Sequence, residues 1–390
     1  KHLYRFQAMK QCLSLVLLLN CLFFGRGETN FSQWVQSHGK VYHSEKEWHL
    51  RKSIFEKNAL LVKEMQRSDP HVVYDITGPF ADLELEEFTS KLMPKRIVPA
   101  TLEENREHLH VTDLPDSFDW EQKGLVAPVR NQKALGSCWA VSTAEAVEGQ
   151  VAKTTGKLVP MSPEQLVECD ASSDSSCAGG KGCADCGMFG GWPYLAYQFL
   201  QKAGGMFSEA DWPYYKEGMF PCMPKGYNKG FCGNHDDLYC RANSTKGQGP
   251  QGLCHATSGF ATPVTGWRSL SSDEAELAAQ LVQYGPLSVL ILADGLQFYH
   301  SGVWTGGVLG CKPDPEEGIL GLDHAVLLVG FGKDHNILGQ VKPYWRLKNS
   351  WGTSWGEHGF FRLDRGTGRC GVNLAATVAR VDSIETTVVV

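Results

Sequence analysis

Hydrophobic and polar positions follow two different rhythms along this chain. Over residues 31–66, "FSQWVQSHGKVYHSEKEWHLRKSIFEKNALLVKEMQ", turn residues are few and Trp48, Arg51, Phe55, Asn58, Val62 and Gln66 recur at helical spacing. That pattern predicts two amphipathic helices. A second helix-period stretch, "SCWAVSTAEAVEGQVAKTTG" (137–156), puts Ala140, Ala144, Val147 and Val151 on one face, with Gly156 as its stop. Towards the C-terminus "HAVLLVGFG", "PYWRLKNSWG" and "GFFRLDRG" are short apolar or alternating runs bounded by glycine, which predicts strands. Residues 169–191 and 222–265 are dense in Gly, Cys, Ser and Asn and read as loops. Between the first helices and Leu114 lies "KRIVPATLEENREHLHVTD", a polar, irregular stretch of the kind where proteolytic nicking concentrates. The pattern is therefore a helical N-terminal segment, a linker, and a globular unit that is helical first and strand-rich later.

Composition changes this picture little. The 390 residues are 42% hydrophobic and 21% charged, with a net charge of −6. That is globular, and it lacks the basic footprint of a nucleic-acid binder. The first residues do change the picture. Met9-Lys10 opens a short positive region, "LSLVLLLNCLFF" (13–24) matches a signal-peptide core, and "GRGE" follows with small residues for a cut near Gly27. The run is short for a membrane span, so residues 1–27 are expected to be a signal region with its true start at Met9 and no lasting anchor. Secretion makes disulfides available. Of 13 cysteines, Cys12 and Cys21 leave with the signal, and an odd number of eleven remains, so one thiol stays unpaired unless a second chain takes it.

Cys138 stands out as chemistry. It opens a helix, where the positive end of the dipole favours a thiolate. A thiolate nucleophile needs a base and a residue that orients the base. "LDHAVLLVG" offers His324 and "KNSWGTSWGEHGFFRL" offers Asn349, while Gln132, six residues upstream, can aim an amide N–H at a developing oxyanion beside the Cys138 backbone N–H.

"NQKALGSCWA", "LDHAVLLVGFG" and "KNSWGTSWGEHGFFRL", in that order, resemble the papain family of cysteine peptidases, over most of residues 31–380. His and Asn stand farther downstream of the cysteine than the roughly 130–150 residues usual in that family, so the two loop-like stretches are expected inserts. The resemblance implies an α+β, two-subdomain fold with a helical left half, an antiparallel barrel-like right half and an N-terminal helical pro-segment. It makes Cys138 the nucleophile, His324 the general base and acid, Asn349 its orienter and Gln132 the oxyanion residue. Trp351 becomes the indole that shields the Asn–His bond. Gly136, Ser137 and Asp323 fall at substrate-contacting positions. "GGWPYLAYQFL" places Gly190 and Gly191 against substrate backbone, where an extended peptide must approach closely. Trp192 and Pro193 then wall the pocket for the second residue before the cut, with Leu290, Leu322 and Ala325 around it and Ala375 as its floor. With no acid at the floor, Leu, Val or Phe is the expected preference there.

The spacing Glu47–Arg51–Phe55–Asn58–Val62–Gln66 is similar to the helical propeptide signature of the cathepsin L-like branch, with Val62 and Gln66 where Ile and Asn are usual. "ITGPFADLELEEF" retains only part of the companion motif, in Phe80 and Asp82. The implied organisation is an inhibitory propeptide over 28–110, cut near 105–113, and a mature peptidase over 111–390. By family position Cys169 is expected to pair with Cys222, and Cys311 with Cys370. The family's bridge beside the nucleophile is absent, because its positions read Leu135 and Met188. Their joint absence suggests an apolar contact in its place. Cys177, Cys183, Cys186, Cys232, Cys240 and Cys254 remain for bridges within or between the inserts, with zinc at Cys183-x-x-Cys186 as the rival reading. With those ten paired, the free thiol is Cys138.

The insert over about 222–260 falls where cathepsin B-like members carry an occluding loop. His235 and His255, without a tandem pair, leave a carboxydipeptidase as the alternative to an endopeptidase. A catalytically inactive binding relative is the other alternative. Asn30 and Asn243 sit in glycosylation sequons. No metal or cofactor is called for. The expected partners are protein or peptide substrates and the chain's own propeptide, and a monomer in the secretory pathway, lysosome or vacuole, or outside the cell is expected.

Overall fold

The computed structural model describes residues 30–69, 71–109, 113–175, 183–214, 221–240, 253–307, 310–312, 320–335 and 341–381. The signal region, Cys177 and Asn243 lie outside the described residues. Two helices, α1 (Phe31–Ser37) and α2 (Glu45–Ser68), open the chain. Asn30 caps the first by accepting from Ser32 N at 2.9 Å, and Ser44 caps the second through Glu47 N at 3.1 Å. Phe31, Trp34, Phe55 and Ala81 form the apolar cluster between them.

The polar members of the α2 stripe serve the returning chain. Arg51 donates to Glu87 at 2.7 Å and to the Asp82 carbonyl at 3.1 Å. Buried Asn58 donates from its amide to the carbonyls of Ala81 and Leu83, both at 2.9 Å. Gln66 holds both sides of β1 (Val72–Tyr74), donating to Val72 O at 2.8 Å and accepting from Tyr74 N at 3.1 Å. Each side chain satisfies backbone groups that would otherwise be buried without partners, which is why polar residues interrupt the apolar face. Then come α3 (Leu85–Thr89), an extended strap, α4 (Ala100–Glu104) and β2 (Arg106–Glu107).

The globular unit begins with β3 (Phe118–Asp119) and the helices α5 (Cys138–Thr155), α6 (Pro163–Cys169) and α7 (Pro193–Ala203). The expected stop at Gly156 is a left-handed residue with φ 71°. The pattern predicts one buried face on α5, yet almost its whole circumference is buried. It packs against α6 and α7 on one side and β5, β7 and β10 on the other, so Ser142, Thr143, Glu145 and Glu148 are buried too. The strands β4 (Gly266–Leu270), β5 (Leu287–Ile291), β6 (Tyr299–Trp304), β7 (His324–His335), β8 (Val341–Lys348), β9 (Phe360–Asp364) and β10 (Thr377–Arg380) build the second half, with α8 (Glu274–Tyr284) between β4 and β5. The sheet runs β1-β6-β9-β8-β7-β5-β10-β4-β2, with β3 also on β7. The N-terminal segment thus supplies the strand at each end: β1 antiparallel on β6 and β2 parallel on β4. No helix among the described residues is long and apolar enough to cross a membrane.

The disulfides correct one expectation. Cys169 bonds Cys254 and Cys222 bonds Cys240, while Cys186 bonds Cys232 and Cys311 bonds Cys370. The expected Cys169–Cys222 pair gives way because the insert makes its own short ladder. Met223 N donates to Leu238 O at 2.8 Å and Cys240 N to Met223 O at 3.0 Å, which sets Cys222 opposite Cys240. The returning turn Leu253–His255 then reaches the end of α6 and supplies Cys254. Cys183 is disulfide-bonded as well, so Cys183-x-x-Cys186 has no thiolates for zinc. Among the described residues Cys138 is the free thiol.

Candidate active site

Cys138 is the first residue of α5 and is fully buried. Its Sγ accepts a hydrogen bond from Ala325 N at 3.4 Å, so the thiol lies against the start of β7, beside His324. His324 Nε2 is 2.8 Å from Asn349 Oδ1, and that same oxygen accepts from Ser350 N at 2.8 Å. An atom that accepts from a backbone N–H is the amide oxygen, so the imidazole must donate from Nε2, and in its neutral form its bare base is Nδ1. Among the described residues Nδ1 has no hydrogen-bond partner. Trp351 stacks on the imidazole with ring centroids 4.7 Å apart, and keeps water from the His–Asn bond.

Burial sets the charge state of this pair. It pushes the Cys138 thiol up to about 12, against the opposing pull of the Ala325 and Trp139 N–H groups and Arg96. It pushes His324 down to about 4, with the Asn349 hydrogen bond acting the other way. Both shifts run the same way, because burial in the covered site disfavours the thiolate and the imidazolium alike. Asp323, next to the histidine, is also pushed up to about 8 by burial, although Ala293 N donates to it at 2.8 Å.

What covers the site is the strap. Met93 N donates to Asp323 O, Arg96 N to Leu322 O and Leu322 N to Arg96 O, each at 2.8 Å. Gly191 N, which the resemblance gives to substrate backbone, donates instead to Met93 Sδ at 3.4 Å. The Arg96 side chain is buried over the Trp192 ring at 6.0 Å and donates to Ala184 O at 3.1 Å. Upstream, Phe80 and Phe88 stack edge-on against Trp351 at 5.3 and 5.5 Å. Sequence reading locates the linker near these residues but not the strap, because nothing in "LMPKRI" marks a segment that pairs with Leu322 across the fold.

The remaining positions divide cleanly. Gly136 N donates to Met188 O at 2.8 Å, and both Leu135 and Met188 are buried in the same apolar cluster. Ser137 Oγ bonds Tyr214 Oη at 2.6 Å, a partner with no local signal in the sequence. Gly191 has to be glycine: an added Cβ would lie 2.4 Å from the Trp139 ring and 2.7 Å from Asp185 Oδ1. Trp192, Leu290, Leu322, Ala325 and Ala375 come together in one buried apolar cluster, with buried Pro193 next to Trp192. Gln132 is buried but donates from Nε2 to Leu135 O at 2.7 Å and accepts from Ser350 Oγ, so one amide hydrogen remains for an oxyanion. His235 lies on the Met188–Phe189 side of the cleft, stacked on Phe189 at 3.8 Å, with Nε2 on Cys232 O at 2.9 Å.

This arrangement is a thiol and an oriented imidazole at the junction of a helical and a sheet half, closed by the chain's own N-terminal segment. Comparison with known proteins agrees. Residues 114–380 match the papain family cysteine protease model, and residues 31–88 match the cathepsin propeptide inhibitor domain (I29). The chain is 35% identical over 361 residues to cysteine proteinase 15A of Pisum sativum, covering 91% of this chain and 87% of that protein. It is 32% identical over 355 residues to cathepsin F of Mus musculus, covering 90% of this chain and 64% of that one. Among solved structures, digestive procathepsin L 3 of Tenebrio molitor larval midgut matches with TM-score 0.63 and 28% identity, over 89% of this chain and 97% of that one. The chain belongs to the papain family of cysteine proteases. It is a peptide hydrolase that carries its own cathepsin-type propeptide.

Proposed function

We propose that this chain is the precursor of a secretory-pathway cysteine endopeptidase, residing in the lysosome or vacuole or outside the cell. Its acyl-transfer centre is Cys138, His324, Asn349 and Gln132, and its pocket for the second residue before the cut takes Leu, Val or Phe. The observation that carries the reading is the hydrogen bond from Ala325 to Cys138 Sγ, next to a histidine oriented by Asn349 and beneath the Met93–Arg96 strap.

In the uncovered enzyme, water returns to the cleft and the proton passes from Cys138 to His324 Nδ1. The thiolate attacks the scissile carbonyl carbon, and the oxyanion lies against the Cys138 N–H and the Gln132 amide. His324 gives its proton to the leaving amine as the C–N bond breaks. It then takes one from the water whose oxygen adds to the acyl carbon, and the C–S bond breaks to release the acid and leave Cys138 as the thiolate. Asn349 holds the ring throughout.

The proposed boundary is propeptide to about residue 110 and mature enzyme beyond. Acidifying the full-length precursor is expected to yield a product whose N-terminus is near Leu114, and peptide hydrolysis rises as that product forms. A precursor that is fully active while uncut contradicts the reading. With the activated product, a peptide library varied at the second residue before the cut is expected to favour Leu, Val or Phe over Arg by about tenfold or more, the range an apolar pocket supports. Arg preferred at that subsite contradicts it. An amide-capped peptide cleaved as well as its free acid supports endopeptidase action.

A further inference from the structure

At the far edge of the sheet one side chain of the N-terminal segment is seated among groups of the protease unit. Glu107, in β2, accepts from Arg268 Nη1 at 2.7 and 2.6 Å, one bond to each carboxylate oxygen. Arg380 Nη2 donates to the same carboxylate at 2.9 Å and Tyr284 Oη at 3.3 Å. Backbone and neighbours are recognised too. β2 pairs parallel with β4, Arg106 opposite Ser269 and Glu107 opposite Leu270. Gln280 Nε2 donates to Glu107 O at 2.6 Å, and Ser269 Oγ donates to Leu102 O at 2.7 Å. The Leu102 side chain, five residues before the glutamate, is 1% exposed in the apolar cluster. The receptor therefore reads three things at once: an extended backbone, an apolar side chain and a carboxylate between two arginines.

All of the receiving groups belong to the part that matches the protease model, and all of the received ones lie upstream of the proposed cut. Release of the propeptide turns β4 from an inner strand into the sheet edge, with unpaired backbone groups, an open apolar slot and two uncompensated guanidinium groups. Such an edge is a template for another strand. Charge complementarity selects which strand.

We propose that the vacated β4 edge of the mature enzyme is an exosite for extended, carboxylate-bearing segments of protein substrates, of the pattern apolar–x4–Glu. The proposal rests on removal of residues upstream of Leu114. The site stands at the opposite end of the sheet path from β1, with β10 and β5 between it and the His324 strand. It can therefore hold a substrate while the cleft cuts elsewhere along the same chain.

The probe is the labelled peptide ATLEENREHL (residues 100–109), titrated at pH 6 against the acid-activated product of the full-length chain. At that pH a glutamate is ionised. Saturable binding is expected, at least tenfold weaker when Glu107→Gln is made in the peptide and when Arg268→Ala and Arg380→Ala are made in the enzyme. A cleavable peptide tethered to ATLEENREHL through a flexible Gly-Ser linker is expected to show KM lowered about tenfold with kcat unchanged, the signature of a raised effective concentration. Hydrolysis of a short untethered substrate stays the same in the arginine variants. Absent binding, or binding indifferent to Glu107→Gln, overturns the exosite with the enzyme itself unaltered. Intact binding with an unchanged KM for the tethered substrate overturns its assignment to substrates. A product that N-terminal sequencing shows to have kept Glu107 overturns the vacancy, and the proposed boundary with it.

Discussion

Cys138→Ala is expected to lower peptide hydrolysis by about 10⁶-fold, the scale seen when the nucleophile of a catalytic unit is removed, because its partners act only through it. The fold is expected to survive. The change deletes one sulfur, which accepts from Ala325 N, and an unmet donor there costs about 1–3 kcal/mol. Because the variant cannot process itself, the comparison needs the linker cut in trans by a trace of wild-type enzyme, which is then removed. Hydrolysis of a fluorogenic peptide and a thermal melt of the same sample are the two readings. A variant that retains more than about one part in a thousand of the rate contradicts the assignment of Cys138 as nucleophile.

Lys348→Ala is expected to destabilise the protein by about 3–5 kcal/mol, the cost of breaking a buried ion pair from one side. Lys348 is the last residue of β8, directly before Asn349, and its side chain is fully buried. Its Nζ lies 2.6 Å from Glu145 on α5, and Glu145 lies 3.6 Å from Arg130 Nη1. Arg130 also pairs with Glu148 at 2.6 Å, one turn along α5. Burial already pushes the Glu145 carboxyl up, with Lys348 the largest force holding it down. Removing the lysine leaves that carboxyl buried near Glu148, with Arg130 shared among Glu145, Glu148 and Glu209. The pair also joins the helical half to the strand that ends directly before Asn349, so its loss is expected to weaken catalysis as well. Denaturant unfolding of Lys348→Ala, and of the double variant Lys348→Met with Glu145→Leu, separates charge from packing. The double variant is expected to recover most of the loss, because no uncompensated charge remains. A single variant within 1 kcal/mol of wild type contradicts the ion pair as a structural tie.

Local pattern made much of this legible. α5 ends at a glycine because only a left-handed residue fits there, and the α2 stripe forms a helix because its spacing repeats every three to four residues. Three apolar runs bounded by glycine became β7, β8 and β9. Cys138, His324 and Asn349 could be picked out because each sits in a motif with its own local context. The cysteine connectivity could not be read in full. Cys222 meets Cys240 through a ladder set by the insert's own backbone, and no residue type in the insert announces that ladder. Arg96 and Glu107 read as linker because their partners, Leu322 in one case and Arg268 and Arg380 in the other, lie well over a hundred residues away. Glu145 and Glu148 look solvent-facing on a helix whose apolar stripe is short, and only the approach of β8 and Arg130 explains why they are buried.

Labelling with a peptidyl epoxide that alkylates active-site thiols, followed by peptide mapping, tests the central claim most directly. The claim is that Cys138 is the free, catalytic thiol and that the N-terminal segment keeps it neutral and covered. The expected result is no label on the intact precursor at neutral pH, and one label per chain, on Cys138, once acidification has released the propeptide, with loss of hydrolysis in step. Label on another cysteine, or equal labelling of Cys138 before and after release, would contradict it.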